Sequence, residues 1–320
     1  MAQKIDSLKI LRIISCLGVV TVHFGARISL SGHLRTVTDF GAYGVYMFFI
    51  ISGFLGFYSY QYSSSCIQYY LKRFSRIVPL YYAIIIYNIV LYEVILRNNF
   101  VVPVDSTHLG WLRYFFFLNK IIPSNKGFWS NLSATWTISY FVFFYLLVPV
   151  LYKVINTYNK AVLFVFFCLV LNYFWRTEWF APITGLYYFG LGIAIYFSIN
   201  ENKENHLIVW ACFTGIFFLL FNFNRIYIFS NIFSLLIIAV KEFKVNNSFV
   251  NKCVNLLDEY SYTIYLVHAI VIEAIALIDE KQPLSSLQVF MILVAGTVVI
   301  SFFIHKLVEE PFNKLVRAKT

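Results

Sequence analysis

The chain has 320 residues, of which 60% are hydrophobic and only 12% charged, and its mean hydropathy is +0.73. Soluble domains carry about 25% charged residues, so this composition excludes a water-soluble globular domain and requires a bilayer around most of the chain. The net charge of +10 does not point to nucleic acid. The basic residues sit in short loops between apolar stretches, as membrane topology demands, and no basic block with interleaved polar spacing occurs.

Apolar runs of bilayer length predict ten spans, at 8–26, 38–60, 79–97, 133–155, 160–176, 180–199, 207–222, 226–241, 260–278 and 287–308. The expected fold is all-α, a polytopic membrane helix bundle forming a single integral-membrane domain over 1–320. The longest stretch between spans is 98–132, and its Trp-Leu-Arg-Tyr-Phe-Phe-Phe-Leu segment within 111–122 is too short to cross. It reads as an interfacial or re-entrant piece. Ten spans put both termini on one side. With the N-terminus inside, the inner segments hold fifteen Lys and Arg and the outer ones nine, which predicts both termini in the cytoplasm. The five cysteines form no CxxC or metal-ligand spacing and read as small packing residues. No metal site is expected.

In the first span Arg12 and His23 lie eleven residues apart. At 3.6 residues per turn they return to nearly the same helix face, about 16 Å apart along the axis. An ionisable group at membrane depth points to function, while Arg12 snorkelling to the headgroups and His23 bonding inside the bundle is the structural alternative. In the second span Ser52-Gly53 lets a backbone or a ligand approach closely, and ordinary helix packing explains it equally. Next comes Tyr70-Leu71-Lys72-Arg73-Phe74-Ser75-Arg76-Ile77-Val78-Pro79. Arg73 and Arg76 share a helix face, and Pro79 is expected to open the third span. Paired arginines suit a phosphate or an anionic lipid surface. His268 falls in the ninth span, within Tyr260-Ser261-Tyr262-Thr263-Ile264-Tyr265-Leu266-Val267-His268, where packing or chemistry would each account for it. The last span closes on Glu309-Glu310-Pro311, which reads as a helix stop.

Taken in order, these segments resemble acyltransferase family 3, the bacterial integral-membrane O-acyltransferases that modify cell-surface glycans. The resemblance rests on Asp6-Ser7-Leu8 leading to Arg12 and His23, Phe-Phe-x-x-Ser-Gly-Phe, Lys-Arg-Phe-x-Arg-Ile-x-Pro-x-Tyr, Trp136-Thr137-Ile138, Phe144-Tyr145, Ser-Tyr-x-x-Tyr-Leu-x-His and the closing Glu-x-Pro. It implies acetyl transfer from cytoplasmic acetyl-CoA to a sugar hydroxyl presented outside, with no permanently bound cofactor. It also implies His23 and Arg12 as catalytic residues and Arg73, Arg76 and Lys72 as donor-binding residues. Ser52, Gly53, Trp136, His268 and Glu309 would have substrate or structural roles. The expected setting is the bacterial cytoplasmic (inner) membrane, in polysaccharide, lipopolysaccharide or O-antigen biosynthesis. The acceptor would be a glycan or glycolipid; the sequence does not fix the oligomeric state. Two positions depart from the family pattern: Phe141 stands where an acid usually lies, and Tyr46 where an acid or proline often does. The chain ends soon after Glu-Glu-Pro, so no fused extracytoplasmic hydrolase-like domain is expected.

The chemistry suits these residues. A sugar hydroxyl attacks a thioester only when a base takes its proton, and histidine has the pKa for that. Arginine holds phosphates better than lysine does. The charged nucleotide of CoA would stay at the inner surface while its thin pantetheine arm enters. An acyl-histidine intermediate is a variant of the same scheme. Other polytopic proteins with buried cations remain open: a glycolipid flippase, a glycan polymerase or a non-catalytic scaffold. No repeat symmetry of the kind expected of a flippase is visible.

Overall fold

The computed structural model describes residues 6–90, 108–119, 130–175, 181–279 and 284–317. Among them it is helical throughout, without strands: an all-α membrane helix bundle. The helices are α1 (Asp6–Arg27), α2 (Gly32–Asp39), α3 (Gly44–Gln61), α4 (Cys66–Ile89), α5 (His108–Phe115), α6 (Trp136–Val154), α7 (Tyr158–Phe174), α8 (Pro182–Asn200), α9 (Glu204–Leu220), α10 (Arg225–Ala239), α11 (Ser248–Asp279), α12 (Ser286–Ile304) and α13 (Glu310–Arg317). Each predicted span has an apolar helix at its place. Five stretches are long and apolar enough to cross a membrane by length and composition: Asp6–Arg27, Gly32–Gln61, Trp136–Val154, Pro182–Asn200 and Ser286–Val316. Three more are shorter apolar helices, Tyr158–Phe174, Glu204–Leu220 and Arg225–Ala239. The remaining two, α4 and α11, are 24 and 32 residues long and bear charges in their N-terminal halves.

Two expected boundaries are corrected. Pro79 does not open a helix: α4 starts at Cys66 and carries Pro79 in its interior, while the end of that predicted span, 91–97, lies outside the described residues. A proline in mid-helix lacks the N–H that would reach the carbonyl four residues back, Ser75 for Pro79 and Tyr145 for Pro149, and membrane helices tolerate this. Near each proline a tyrosine hydroxyl from another helix ties the two helices together: Tyr262 donates to the Ile77 carbonyl at 2.9 Å, and Tyr70 to the Leu146 carbonyl at 3.1 Å. Nor does Pro311 stop the last helix. The turn His305–Glu309 widens into a π-helix, the Glu310 N–H reaches back to the His305 carbonyl, and α13 carries the helix on to Arg317. A π turn absorbs the residue whose regular hydrogen bond the proline prevents.

The described part of the 98–132 stretch holds a short helix, as expected of a piece too short to cross. Only eight residues long, α5 is far too short to span, and two tyrosines fasten it to α4. Tyr81 donates to the Tyr114 carbonyl at 2.7 Å and Tyr82 to the Phe115 carbonyl at 2.8 Å. The remainder of that stretch, apart from residues 130–132, lies outside the described residues. All five cysteines are free, but only Cys16 and Cys168 are buried, so the expected packing role holds for these two.

At the centre lies α8, with Tyr187, Phe189, Leu191, Ile193, Ala194 and Ile195 all sealed from the surface. Lipid tails are as apolar as leucine, so transmembrane helices associate through close packing rather than through a hydrophobic drive. Glycines supply that closeness. A Cβ on Gly53 of α3 would overlap the Phe189 carbonyl of α8, and one on Gly192 would overlap the Ile50 carbonyl. Gly18 and Gly41 do the same between α1 and the 3₁₀ turn before α3. At one loop, Glu201 accepts from the Tyr158 N–H at 2.7 Å and from Lys203 Nζ at 2.8 Å. The Lys203 ammonium holds the Glu201 carboxyl below its usual range.

The backbone contact at Gly53 makes a stability prediction. Gly53→Ala drives a methyl into a carbonyl that cannot retreat, and overpacking of this kind costs about 1–3 kcal/mol or more. Gly215→Ala meets only the Asn231 side-chain nitrogen at 3.8 Å. Thermal unfolding of the purified protein should show Gly53→Ala clearly destabilised and Gly215→Ala unchanged.

Candidate active site

The site begins with the first and eleventh helices, which lie side by side in parallel register. Lys9 Nζ donates to Asn255 Oδ1 at 2.8 Å, and an Arg12 Nη donates to Asp258 Oδ2 at 2.7 Å. Further along, Cys16 Sγ meets the Ser261 carbonyl at 3.1 Å, and the His23 and His268 rings lie 5.2 Å apart between centroids. The sequence offset stays at 245 or 246 residues along the whole seam. Arg12 and His23 do share a face, and that face looks at α11. Asp258, Ser261, Tyr265 and His268 form the answering face, spaced by three, four and three residues as a helix requires.

Arg12 is therefore an ion-paired residue. Its carboxylate partner went unseen in the sequence because the ninth span was drawn from residue 260; one more helical turn would have brought Asp258 onto the face of His268. Both side chains are largely enclosed, with exposures of 17% and 12%. Arg12 Nε and Asp258 Oδ1 have no hydrogen-bond partner.

Next to this pair a cavity opens between α1, α3, α4, α6 and α11. Arg12, Lys72, Arg73 and Arg76 line one part of it, and Thr137, Ser261, Tyr262 and Tyr265 another, with Val45, Phe48, Leu55, Ile138 and Phe141 between. Asp258 balances Arg12. Lys72, Arg73 and Arg76 have no carboxylate partner among the described residues. The three are not equivalent. Arg73 is anchored: it donates to the Leu55 carbonyl, and its guanidinium lies 5.8 Å from the Tyr69 ring centre and 5.4 Å from that of Tyr145. Such cation–π contacts fix its orientation. Among the described residues, the side chains of Arg76 and Lys72 make neither a hydrogen bond nor an ion pair.

Of the residues singled out in the sequence, Arg12, Ser52, Lys72, Arg73 and Arg76 meet at this cavity. Gly53 belongs to the α3–α8 crossing. Trp136 stands edge-on to Phe49 and Tyr140, at 6.2 and 5.2 Å, while its neighbour Thr137 faces the cavity. Glu309 lies apart, buried in the π turn, where it accepts from Thr263 Oγ1 at 2.6 Å and sits 2.5 Å from His305 Nδ1. It ties α12 to α11. Phe141, at the position where an acid was expected from the resemblance, lines the cavity as an apolar ring, and Tyr46 packs on Tyr188 at 4.7 Å.

Neither His23 nor His268 lines the cavity, yet both stand just beyond it. The ring of Tyr265, a lining residue, lies 5.8 Å from that of His268. His268 is fully enclosed, and its ring sits against the Ile264 and Tyr265 carbonyls of the preceding turn. His23 keeps its side chain open to the outside of the bundle. Sequence reasoning missed Asp258, Thr137, Tyr262 and Tyr265, although the last three lie within motifs it quoted.

The described residues thus place three cations without a carboxylate partner around one cavity, and a pair of imidazoles beyond it. Residues 5–306 match the model of an acyltransferase domain, Acyl_transf_3, and the chain belongs to this family, acyltransferase family 3. It is a membrane acyltransferase. No curated protein and no solved structure matches it.

The Arg12–Asp258 pair makes a prediction. Removing one partner of a buried ion pair leaves an uncompensated charge and costs about 3–5 kcal/mol where burial is complete. Arg12→Ala and Asp258→Ala should each lower the unfolding temperature. The double variant should be less destabilised than the sum of the two, a coupling that a double-mutant cycle reads directly. Additive effects would mean that the pair does not act as a unit.

Proposed function

We propose that this acyltransferase takes an acetyl group from cytoplasmic acetyl-CoA and passes it to a hydroxyl of a glycan or glycolipid outside the membrane. The observation that carries the reading is the polarity of the seam and its cavity: cations at one end, imidazoles just past the other. From Asp258 to His268 along α11 is ten residues, about 15 Å of rise. Arg76, Lys72 and Arg73 hold the nucleotide phosphates, and the apolar lining between Phe48 and Phe141 receives the uncharged pantetheine arm. The thioester then lies beside Thr137 and Tyr265. His23, open to the outside of the bundle, takes the proton of the acceptor hydroxyl, and His268 supports its ring.

In chemical terms the acceptor oxygen forms a bond to the thioester carbonyl carbon while its proton passes to His23. The tetrahedral intermediate then collapses with cleavage of the C–S bond, and the CoA thiolate recovers the proton. Arg12, held by Asp258, fixes the two helices that carry the histidines and adds positive potential to the cavity. The setting is the bacterial inner membrane with both termini cytoplasmic, in line with the excess of basic residues on that side, and the product is an O-acetylated surface polysaccharide, of which lipopolysaccharide O-antigen is one form. The parallel run of α1 and α11 suits an odd number of crossings between them, and the expected spans number seven there.

Four outcomes are expected. Purified protein given labelled acetyl-CoA should release free CoA; no use of the thioester overturns the reading. His23→Ala should lose about 10²–10⁴ in rate, the usual contribution of a general base, with membrane insertion intact. Arg76→Ala should raise KM for acetyl-CoA while leaving thermal stability near wild type, whereas Arg73→Ala, which also frees the Leu55 carbonyl, should lose stability as well. For orientation, reporters fused after residue 125 and at the C-terminus should report opposite sides of the membrane.

A further inference from the structure

Acyl transfer from a thioester needs more than a base and an anion site, because negative charge appears on the carbonyl oxygen as the tetrahedral intermediate forms. Donors aimed at that oxygen often supply the largest single part of catalysis. Four hydroxyl side chains besides that of Ser52 and the ring of Tyr145 border the cavity: Thr137, Ser261, Tyr262 and Tyr265. Two of them are committed elsewhere. The Ser261 hydroxyl donates to the Asp258 carbonyl at 2.7 Å, and the Tyr262 hydroxyl donates to the Ile77 carbonyl at 2.9 Å. Ser52 lies one turn from Leu55, whose carbonyl holds Arg73, and Tyr145 lies under that same guanidinium. Both therefore belong to the cationic end.

Tyr265 and Thr137 remain. Their hydroxyls are 3.2 Å apart, and both reach the Ala134 carbonyl, Thr137 at 3.2 Å and Tyr265 at 3.4 Å. These distances are long for O–H···O bonds, which favour about 2.7–2.8 Å, so a better acceptor can draw either proton away. Both residues are buried, at 6% and 1% exposure, where a hydrogen bond to a developing charge is worth far more than in water. Tyr265 is also the lining residue in ring contact with His268. It stands seven residues beyond Asp258 on α11, about 10 Å along the axis, and so toward the imidazoles.

We propose that the Tyr265 hydroxyl, with Thr137 beside it, is the oxyanion donor of the acyl transfer. The inference rests on the reading of this cavity as the acetyl-CoA site. At rest the two hydroxyls satisfy each other and the Ala134 carbonyl. When the thioester arrives, the Tyr265 proton turns to its carbonyl oxygen. As the acceptor oxygen bonds to the carbonyl carbon, the π electrons move onto that oxygen, and Tyr265 and Thr137 hold the charge without giving up their protons. The electrons return as the C–S bond breaks and the CoA thiolate leaves, to be protonated by the histidine.

The test uses the full chain in lipid nanodiscs with labelled acetyl-CoA, water serving as the acceptor, and follows release of free CoA alongside equilibrium binding of acetyl-CoA. Tyr265→Phe and Thr137→Val keep the shape of each side chain and remove only the hydroxyl. Loss of an oxyanion donor lowers kcat by about 10²–10³. Tyr265→Phe should show a loss of that size and Thr137→Val a smaller one, both with acetyl-CoA affinity and unfolding temperature close to wild type. Normal kcat in folded Tyr265→Phe overturns the oxyanion role while leaving the acetyl-CoA reading in place. A fall in donor affinity that accounts for the whole loss in rate makes the hydroxyl a binding group and also overturns it. Wild-type protein that binds no acetyl-CoA and releases no CoA overturns both readings at once. If Tyr265→Phe fails to fold, Thr137→Val decides: an unchanged kcat rejects the pair, and a lowered kcat at unchanged affinity supports it.

Discussion

The parallel seam between α1 and α11 is the constraint on which the rest of the molecule depends. Two helices from opposite ends of the chain are locked at a constant offset by an ion pair at one end and neighbouring imidazoles at the other. Slipping the register by one residue would rotate Arg12 away from Asp258 and His23 away from His268 together, since both pairs lie on one face of each helix. A charge left unpaired there is costly, so the ion pair selects this register over its neighbours. The same register builds one wall of the cavity: Arg12, Ser261 and Tyr265 come to line it because their helices are fixed at this offset.

The other walls are placed by contacts of a different kind. In lipid there is little to gain from burying one more leucine, and here α3 meets α8 through glycine backbones at Gly53 and Gly192. That crossing turns Ser52 and Phe48 toward the cavity on the opposite side of α3. In α4, Arg73 is held by a carbonyl of α3 and by two tyrosine rings, one of its own helix and one of α6. Its neighbour Arg76, one turn on, is left with its charge facing the same space. The anchored arginine positions the helix, and the other keeps its charge at the cavity.

The prolines and the π turn show how such a bundle tolerates interrupted hydrogen bonding. The Tyr262 hydroxyl bonds to a carbonyl near Pro79 and thereby joins α11 to α4 across the cavity. At the end of α12, Glu309 is drawn inward by Thr263 and His305, so that the same helix joins α11 from its other side. The eleventh helix is thus tied to α1, α4 and α12 along the very segment, 258–268, that carries the polar residues of the site.

Ten apolar runs, the short interfacial piece and the shared face of Arg12 and His23 were legible in the sequence, because each depends only on hydropathy and on the 3.6-residue period. The basic motif was legible as a motif; that it meets Ser52 and Arg12 at one cavity was not. The partners were not. Asp258 lay two residues before the apolar run from which the span was drawn, and no local rule links it to Arg12, 246 residues away. Pro79 and Pro311 read as helix boundaries because the local rule for proline is a preference of the isolated chain, which helix packing on both sides of the proline overrides. Which hydroxyls stay free was equally hidden: Ser261 and Tyr262 are spent on carbonyls, while Tyr265 and Thr137 share theirs at long range. The sequence by itself determined a membrane-embedded, all-helical acyltransferase and where its polar residues fall along each helix. Only the tertiary structure decided which of them face one another, because that depends on the register of helices packed from opposite ends of the chain.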